Sequence, residues 1–376
     1  MAKKHKSVRI SYSAARRYKE CPEKHDLSSK FENRLISSAF PFGKAVEAGV
    51  ETMLKGGTLK EGHEAFVEKW NLEDVPKSDP RPVFDNLAIE YYKSDFDDAV
   101  LGADEEQEIQ SWLEELFPKA NPDMHWSELF DRVSKQMTID ESQVPLEDLT
   151  FYNRVVWLSC LVRGKIMLKS FHDKLLPKIS LITLGNGPAL QIKVSIKGDD
   201  GDEVLGYVDG IIKHVDFDEP IIVDFKTASA EYYDHALVTS EQLRTYVAAL
   251  AGDVDTRRAG YIVLIKKIKV EKSCDKCGHK RESGSAKNCK KEDCKGKYSV
   301  PSFDSDVQFI SKEYKDSELE DVLDDYANVA SAIKHGVKYK NPNSCTAYGK
   351  KCEFYSVCWG GKKPQHLEHL KEKKDD

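Results

Sequence analysis

PIIVDFKTA, residues 220–228, reads as a strand built for a sheet interior, because Ile221, Ile222 and Val223 form an apolar, β-branched run. Asp224 and Lys226 follow at alternate positions and so share one face. A carboxylate taken into a protein interior costs several kcal/mol unless a cation or donors meet it. An acid and a base facing the same way at the end of a buried strand therefore call for a common partner.

The preceding strand supplies one. LGYVDGIIKHV (205–215) embeds Asp209 among apolar residues, and DFDE (216–219) reads as the turn of an antiparallel hairpin. With Phe217 and Asp218 at the turn centre, Asp209 falls opposite Lys226 and diagonal to Asp224, which puts all three on one face within about 4.5–8 Å. A slip of one residue would move Asp209 to the other face. Convergent carboxylates repel, and a hard divalent cation such as Mg²⁺ relieves them while leaving positions for water and phosphate. A cation there polarises a phosphoryl oxygen or orients a leaving oxygen. A neighbouring lysine positions the attacking water and offsets charge developing at phosphorus. A lone D-x-K on a strand is more often an exposed polar face. Here it belongs to an ordered set, Gly206-x-x-Asp209, then Asp224-x-Lys226-Thr227, then Gln242-Leu-x-x-Tyr246.

Composition sets the frame for this chemistry. The chain has 376 residues, enough for one large domain or two ordinary ones, and 40% hydrophobic content allows a substantial core. A net charge of −7 does not advertise a nucleic-acid binder. Basic residues nevertheless concentrate in 1–19, 265–297 and 361–374, whereas 71–148 is mostly acidic. No apolar run is long enough to span a membrane, and the N-terminus lacks the apolar core of a secretory signal. These features place the protein in the cytoplasm, where clustered cysteines bind metal more often than they pair.

Along the chain, 8–35, 40–57, 60–70, 84–118 and 150–175 read as helices, and short β-branched segments begin near 180. A helix, 240–252, sits among the strands; 303–314 reads as a further strand and 316–335 as a helix. The last dozen residues, QHLEHLKEKKDD, read as a solvated tail. Helices followed by a mixed sheet with an inserted helix predict an α/β core carrying a large helical N-terminal part.

Nine cysteines fall into two groups and a remainder. Cys274-x2-Cys277 and Cys289-x4-Cys294 form two close pairs suited to tetrahedral Zn²⁺. A loop this small buries no core, so the metal supplies its folding energy. The loop reads as an insertion between core strands, and its lysines make it either a solvated scaffold or a grip on phosphates. Cys345, Cys352 and Cys358 need a fourth thiolate, for which Cys21 is the best candidate. Cys160 lies in an apolar helical run and reads as a buried structural thiol.

The ordered set Gly206–Asp209, Asp224–Thr227 and Gln242–Tyr246 resembles the PD-(D/E)XK nuclease superfamily, and within it the RecB-type branch that includes AddB and CRISPR-adaptation nucleases. The resemblance covers 8–25, 40–55, 180–265 and 340–360. It implies a restriction-endonuclease-like mixed sheet flanked by helices, with Asp209, Asp224 and the Phe225 carbonyl as Mg²⁺ or Mn²⁺ ligands and Lys226 as the catalytic lysine. Gln242 and Tyr246 match the branch's element near DNA. The branch commonly has histidine on an early helix where GKAVE places Glu47, so Glu47 becomes the expected ligand and Glu51, one turn on, the alternative. The resemblance also implies that Cys21, Cys345, Cys352 and Cys358 hold a [4Fe–4S] cluster. The x6 spacing between Cys345 and Cys352 is wider than usual there, which leaves a second zinc as the alternative.

The implied organisation is N-terminal helices with the first cluster cysteine over 1–57, a helical region over 58–178, and a nuclease core over 179–340 that carries the zinc insertion 272–298. A cysteine cluster over 341–362 and a charged tail over 363–376 complete it. The implied activity is a metal-dependent exonuclease acting at single- or double-stranded DNA ends in recombination, repair or phage DNA metabolism. An endonuclease, a CRISPR-adaptation-like nuclease and a catalytically inactive DNA-binding module are the alternatives. No Walker A motif is present, so any helicase or recombination partner is a separate chain.

Overall fold

The computed structural model describes residues 7–33, 39–70, 149–198, 201–282, 288–291, 293–347, 350–367 and 369–373. The expected helix over 84–118 lies outside them. The central element is an eight-stranded mixed sheet of β1 (Arg9–Ser11), β2 (Ile179–Leu181), β3 (Leu190–Lys197), β4 (Glu203–His214), β5 (Ile221–Ala228), β6 (Arg258–Cys274), β7 (Lys280–Glu282) and β8 (Tyr298–Glu313). The helices are α1 (Tyr12–Glu20), α2 (Pro22–Lys30), α3 (Ala39–Leu54), α4 (Leu59–Lys69), α5 (Leu149–Lys174), α6 (Glu241–Leu250) and α7 (Asp316–Lys334). The α/β expectation and its mixed sheet hold.

β4 organises the sheet. One edge pairs antiparallel with β3 and then β2. The other edge pairs with β1 in parallel over Glu203–Leu205 and with β5 antiparallel over Gly210–Ile212. Residues 206–209 therefore have no ladder partner on that edge among the described residues, and β4 and β5 diverge there. β5 runs parallel to β6, with Asp224 beside Tyr261 and Lys226 beside Val263. A parallel neighbour requires a crossover, which α6 supplies.

Each sheet face buries a separate cluster. Val223, Phe225, Ile262 and Leu264 pack with the apolar stripe of α3 and with α4 and α5. That stripe is Phe42, Val46, Val50 and Met53, spaced three or four apart as an amphipathic helix requires. α4 starts at a capping box in which the Thr58 hydroxyl accepts from Glu61 N and the Glu61 carboxylate accepts from Thr58 N. α5 crosses α4 closely, because a Cβ on Gly164 would lie 2.2 Å from the Phe66 ring. On the opposite face Ile222, Val263, Val208 and Ile211 pack against Leu243, Tyr246, Val247 and Leu250 of α6.

Three expectations are corrected. The reach 8–35 is not one helix: β1 comes first, Ser11 Oγ caps α1, and extended Cys21 separates it from α2, which Pro22 opens. The tail is partly docked: Leu370–Glu372 pairs with Phe31–Asn33, and Leu370 is buried with Leu27, Phe31 and Phe354. Four apolar side chains outweigh the surrounding lysines there. Finally, the β4–β5 connection is longer than a two-residue turn. Ile212 pairs with Ile221, so continuing the register sets Asp209 opposite Asp224 rather than Lys226. The shift is two residues, so the face on which all three meet is unchanged.

Candidate functional site

The divergence of β4 and β5 creates the site. Past Gly210 and Val223 the ladder stops, and the next backbone donor, Phe225 N–H, is taken by Asp209 Oδ2 at 2.8 Å. Asp209 thereby closes the split that would otherwise leave a backbone amide unpaired. Asp224 is 1% exposed. Its Oδ1 accepts from Gln242 Nε2 at 2.8 Å, while Oδ2 lies against Lys226 Nζ without accepting a well-formed hydrogen bond. Lys226 Nζ reaches Gln242 Oε1 at 3.4 Å and stands 6.0 Å from the Tyr261 ring centre. Gln242 Nε2 also meets the Tyr246 hydroxyl at 2.7 Å, as their spacing on α6 allows. The Tyr246 ring runs 3.4 Å from where a Cβ of Gly206 would stand, so the glycine leaves it room.

α3 brings Glu47 to the same place. Its neighbour Gly43 lies beside Thr227, with 3.5 Å between an added Cβ and Thr227 Oγ1. Gln191 Nε2 donates to Glu47 Oε1 at 2.5 Å and to Glu51 Oε1 at 2.8 Å, tying both acids to β3. Sequence reasoning missed Gln191. It adopts φ +48, a left-handed conformation uncommon for a residue with a side chain, and nothing in the sequence announces it. Tyr261 was missed too; it holds Ser240 Oγ at 2.6 Å beneath the lysine.

Electrostatics shows a charge imbalance. Burial, then Asp224 and Glu47, push the Asp209 carboxyl up to about 8. Burial also raises Asp224, against the pull of Lys226. Burial and Glu51 raise Glu47. Burial works against the Lys226 charge, but Asp224 and Asp209 prevail and raise it above the ordinary lysine value. Burial and Asp224 raise Tyr246, which stays a neutral phenol. Three acids thus crowd one lysine, and the buried Asp224 Oδ2 is short of donors. Oxygen donors with excess negative charge are what a hard divalent cation fits.

The Cys274, Cys277, Cys289 and Cys294 thiols come within 4.8 Å of one another. Cys274 and Cys294 sulfurs are 3.6 Å apart, as are those of Cys277 and Cys289. Tetrahedral Zn–S bonds of about 2.3 Å put sulfurs about 3.8 Å apart. Backbone N–H groups two residues on, from Lys276, Lys291 and Gly296, approach the sulfurs of Cys274, Cys289 and Cys294 at 3.4–3.5 Å. The His279 backbone N–H and the neighbouring thiols lower Cys277 to about 7. A Cβ on Gly296 would fall 2.3 Å from the Cys274 sulfur, so the glycine is needed for closure. The residues fit zinc.

Cys21, Cys345, Cys352 and Cys358 line one small cavity with Asn341 and Trp359. Asn341 N–H points to Cys21 Sγ at 3.5 Å and Trp359 Nε1–H to Cys345 Sγ at 3.2 Å. Burial pushes Cys352 up to about 11 and raises Cys358. Among the described residues, only the four cysteines of the loop form a group of three or more metal-ligating side chains whose ligand atoms all lie within 4.8 Å of one another. This second set is wider than tetrahedral zinc requires. Cys160 packs at the edge of the α3–α5 core, away from both groups.

The candidate site is thus two acids and a lysine at the place where paired strands of a mixed sheet part. The family model of the PD-(D/E)XK nuclease superfamily matches residues 9–359, and the chain belongs to that superfamily. No curated protein matches it. Nucleases of this superfamily use divalent metals and act on DNA. No helix among the described residues is long and apolar enough to cross a membrane.

Proposed function

We propose that the chain is a Mg²⁺- or Mn²⁺-dependent deoxyribonuclease of the RecB type that acts as an exonuclease at DNA ends. One observation carries the hydrolytic reading: Asp224, almost fully buried, meets Lys226, Gln242 and the diverging end of β4 that presents Asp209. Glu47, Asp209, Asp224 and the Phe225 carbonyl would hold the cation. When bound, it would supply Lewis acidity at the phosphoryl group and lower the pKa of a bound water.

The chain's own side chains do the rest. Lys226 places the attacking water beside the scissile phosphate and offsets charge developing there. Gln242 fixes the orientation of Asp224 by donating to Oδ1 and holds Lys226 through its own carbonyl oxygen. Tyr246, a neutral phenol, is placed to donate to a phosphate oxygen from the α6 side. Gln191 keeps Glu47 and Glu51 together on the β3 side.

The second cysteine group holds a [4Fe–4S] cluster, as the spread of its thiols and the N–H donors aimed at them support. Its work is structural, because hydrolysis moves no electron. It joins α2 to the C-terminal segment, next to the Phe31–Phe354–Leu370 cluster. The preference for ends rests on the RecB-type resemblance, with recombination, repair or phage DNA metabolism as the setting. Degradation of end-labelled linear DNA beside closed circular DNA tests it, using anaerobically prepared protein with Mg²⁺, Mn²⁺ or EDTA. Metal-dependent loss of linear DNA alone supports the exonuclease. Loss of circles favours an endonuclease, and no loss of either favours a DNA-binding module.

A further inference from the structure

β6 and β8 are much longer than the sheet needs. Between Leu264↔Val307 and Ile268↔Ser305 the register shifts, with Ile265, Lys266 and Lys267 facing the single residue Asp306. Such a bulge bends a ribbon and increases its twist; Ile268 and Phe303 just past it still pack on the α3–α5 core, and the ribbon runs on from there as an arm. β5 ends opposite Ile265, so everything beyond the bulge extends past the end of the sheet at which Asp224 and Lys226 lie. Seven residues of β6 past the bulge, Ile268–Cys274, carry the ribbon about 23 Å. Its far end is the four-cysteine tip.

The root of this arm is held firmly. Ser170 Oγ donates to Asp304 Oδ1 at 3.0 Å and accepts from Ser305 N at 3.0 Å, and Lys174 Nζ donates to Ser305 O at 2.6 Å. Arg163 donates to the Lys266 carbonyl at the bulge itself. The tip is ordered by Tyr298, whose hydroxyl meets His279 Nδ1 at 2.8 Å and accepts from Lys290 N at 3.1 Å.

Charge separates the arm from the rest of the molecule. Residues 266–297 hold twelve Lys and Arg against five Asp and Glu, a net of +7 in a chain whose total is −7. Lys276, Lys290, Lys291, Lys295 and Lys297 are all exposed at the tip. A cationic projection beside an acidic centre suits a polyanion that extends away from that centre.

We propose that the arm, residues 266–298, grips the phosphate backbone of duplex DNA up to about eleven base pairs from the phosphodiester being cut. The span follows from the eleven residues of β6 between Val263, beside Lys226, and Cys274, about 36 Å, and the rise of about 3.4 Å per base pair. The inference rests on the nuclease reading and adds to it a duplex requirement and a fixed reach.

The test compares the wild type with a variant carrying Lys290→Ala, Lys291→Ala, Lys295→Ala and Lys297→Ala. Both are made in an Asp224→Asn background for binding, and each DNA is a hairpin with a stem of about 6 or about 20 base pairs. Zinc content and melting of the variant are checked first, since all four cysteines remain. On the long stem the variant is expected to bind about tenfold or more weakly. Its dependence of log Kd on log salt should be shallower by about 3.6 if all four lysines meet phosphates. On the short stem the two proteins should bind alike. Equal affinity and salt slope on the long stem, with zinc retained, overturn the arm's role. An equal loss on both stems, or a loss confined to single strands, overturns the fixed reach on duplex. Hydrolysis of the same DNA by protein with Asp224 intact is followed in parallel. If the DNA is cut while the arm variant binds normally, only the arm fails. If the wild type neither binds nor cuts DNA, both readings fail.

Discussion

The acidic centre and the four-cysteine tip are both suited to metal, yet the fold builds them in opposite ways. Glu47, Asp209, Asp224 and Lys226 come from α3, β4 and β5, which meet where β4 and β5 part, with Asp224 buried and the others half-buried. Burial raises all three carboxyl groups, and neighbouring acids add to it at Asp209 and Glu47. Cys274, Cys277, Cys289 and Cys294 are neighbours in sequence at the end of a ribbon with little apolar support. In the first case the fold holds the ligands against their own electrostatics. In the second the metal holds the fold. Losing a ligand should therefore cost chemistry at the centre and local structure at the tip.

The sharpest way to break this contrast is Lys226→Ala. Single-turnover hydrolysis is expected to fall by about 100-fold or more. The metal-free protein should also melt lower, because Asp224 is left buried without its cation. An unchanged rate would mean that the centre is not hydrolytic. At the tip, Cys277→Ser should release zinc and expose the lysines of 276–297 to rapid tryptic cleavage, while the main melting transition stays in place. A tip that remained protected without zinc would erase the distinction.

Cys21→Ser probes the second cysteine group, which lies between the two extremes because its thiols line a partly buried cavity. The variant should lose iron and its visible absorbance and melt a few degrees lower, since α2 and the C-terminal segment would no longer share a clasp. Retained iron would exclude Cys21 as a ligand.

A further prediction concerns pH. In the folded, metal-free protein the Asp209 carboxyl titrates near 8, against an ordinary value of 3.8. The unfolded chain therefore gives up its proton first, and stability falls as pH rises from about 4 to about 8. Mg²⁺ should oppose this, so its upward shift of the melting temperature should be larger at pH 8 than at pH 5. A shift independent of pH would argue against Asp209 at the cation.

Much of the centre was legible because its pieces are local. A β-branched run fixes β5, alternation puts Asp224 and Lys226 on one face, and the four-residue spacing sets Gln242 with Tyr246 on α6. The pairing register was not legible, since it depends on a loop of several residues, Val215–Pro220, rather than on a two-residue turn. The parting of β4 from β5 was also hidden, because it depends on β1 taking the other half of the same edge, a contact made across the length of the chain. Gln191 could not be foreseen for a similar reason: its role depends on a left-handed backbone and on where α3 docks. The tip cysteines were legible from spacing, Cys21 was the best candidate to join Cys345, Cys352 and Cys358 and the resemblance supported that grouping, and the structure places all four on one cavity.

The most direct measurement is Mg²⁺-dependent hydrolysis of linear DNA by wild type and Asp224→Asn, with melting temperature measured on the same samples. The substitution keeps the shape of the side chain and removes a buried charge that burial disfavours. Hydrolysis should disappear while the metal-free melting temperature holds or rises. Undiminished hydrolysis by Asp224→Asn would contradict a hydrolytic centre at the parting of β4 and β5.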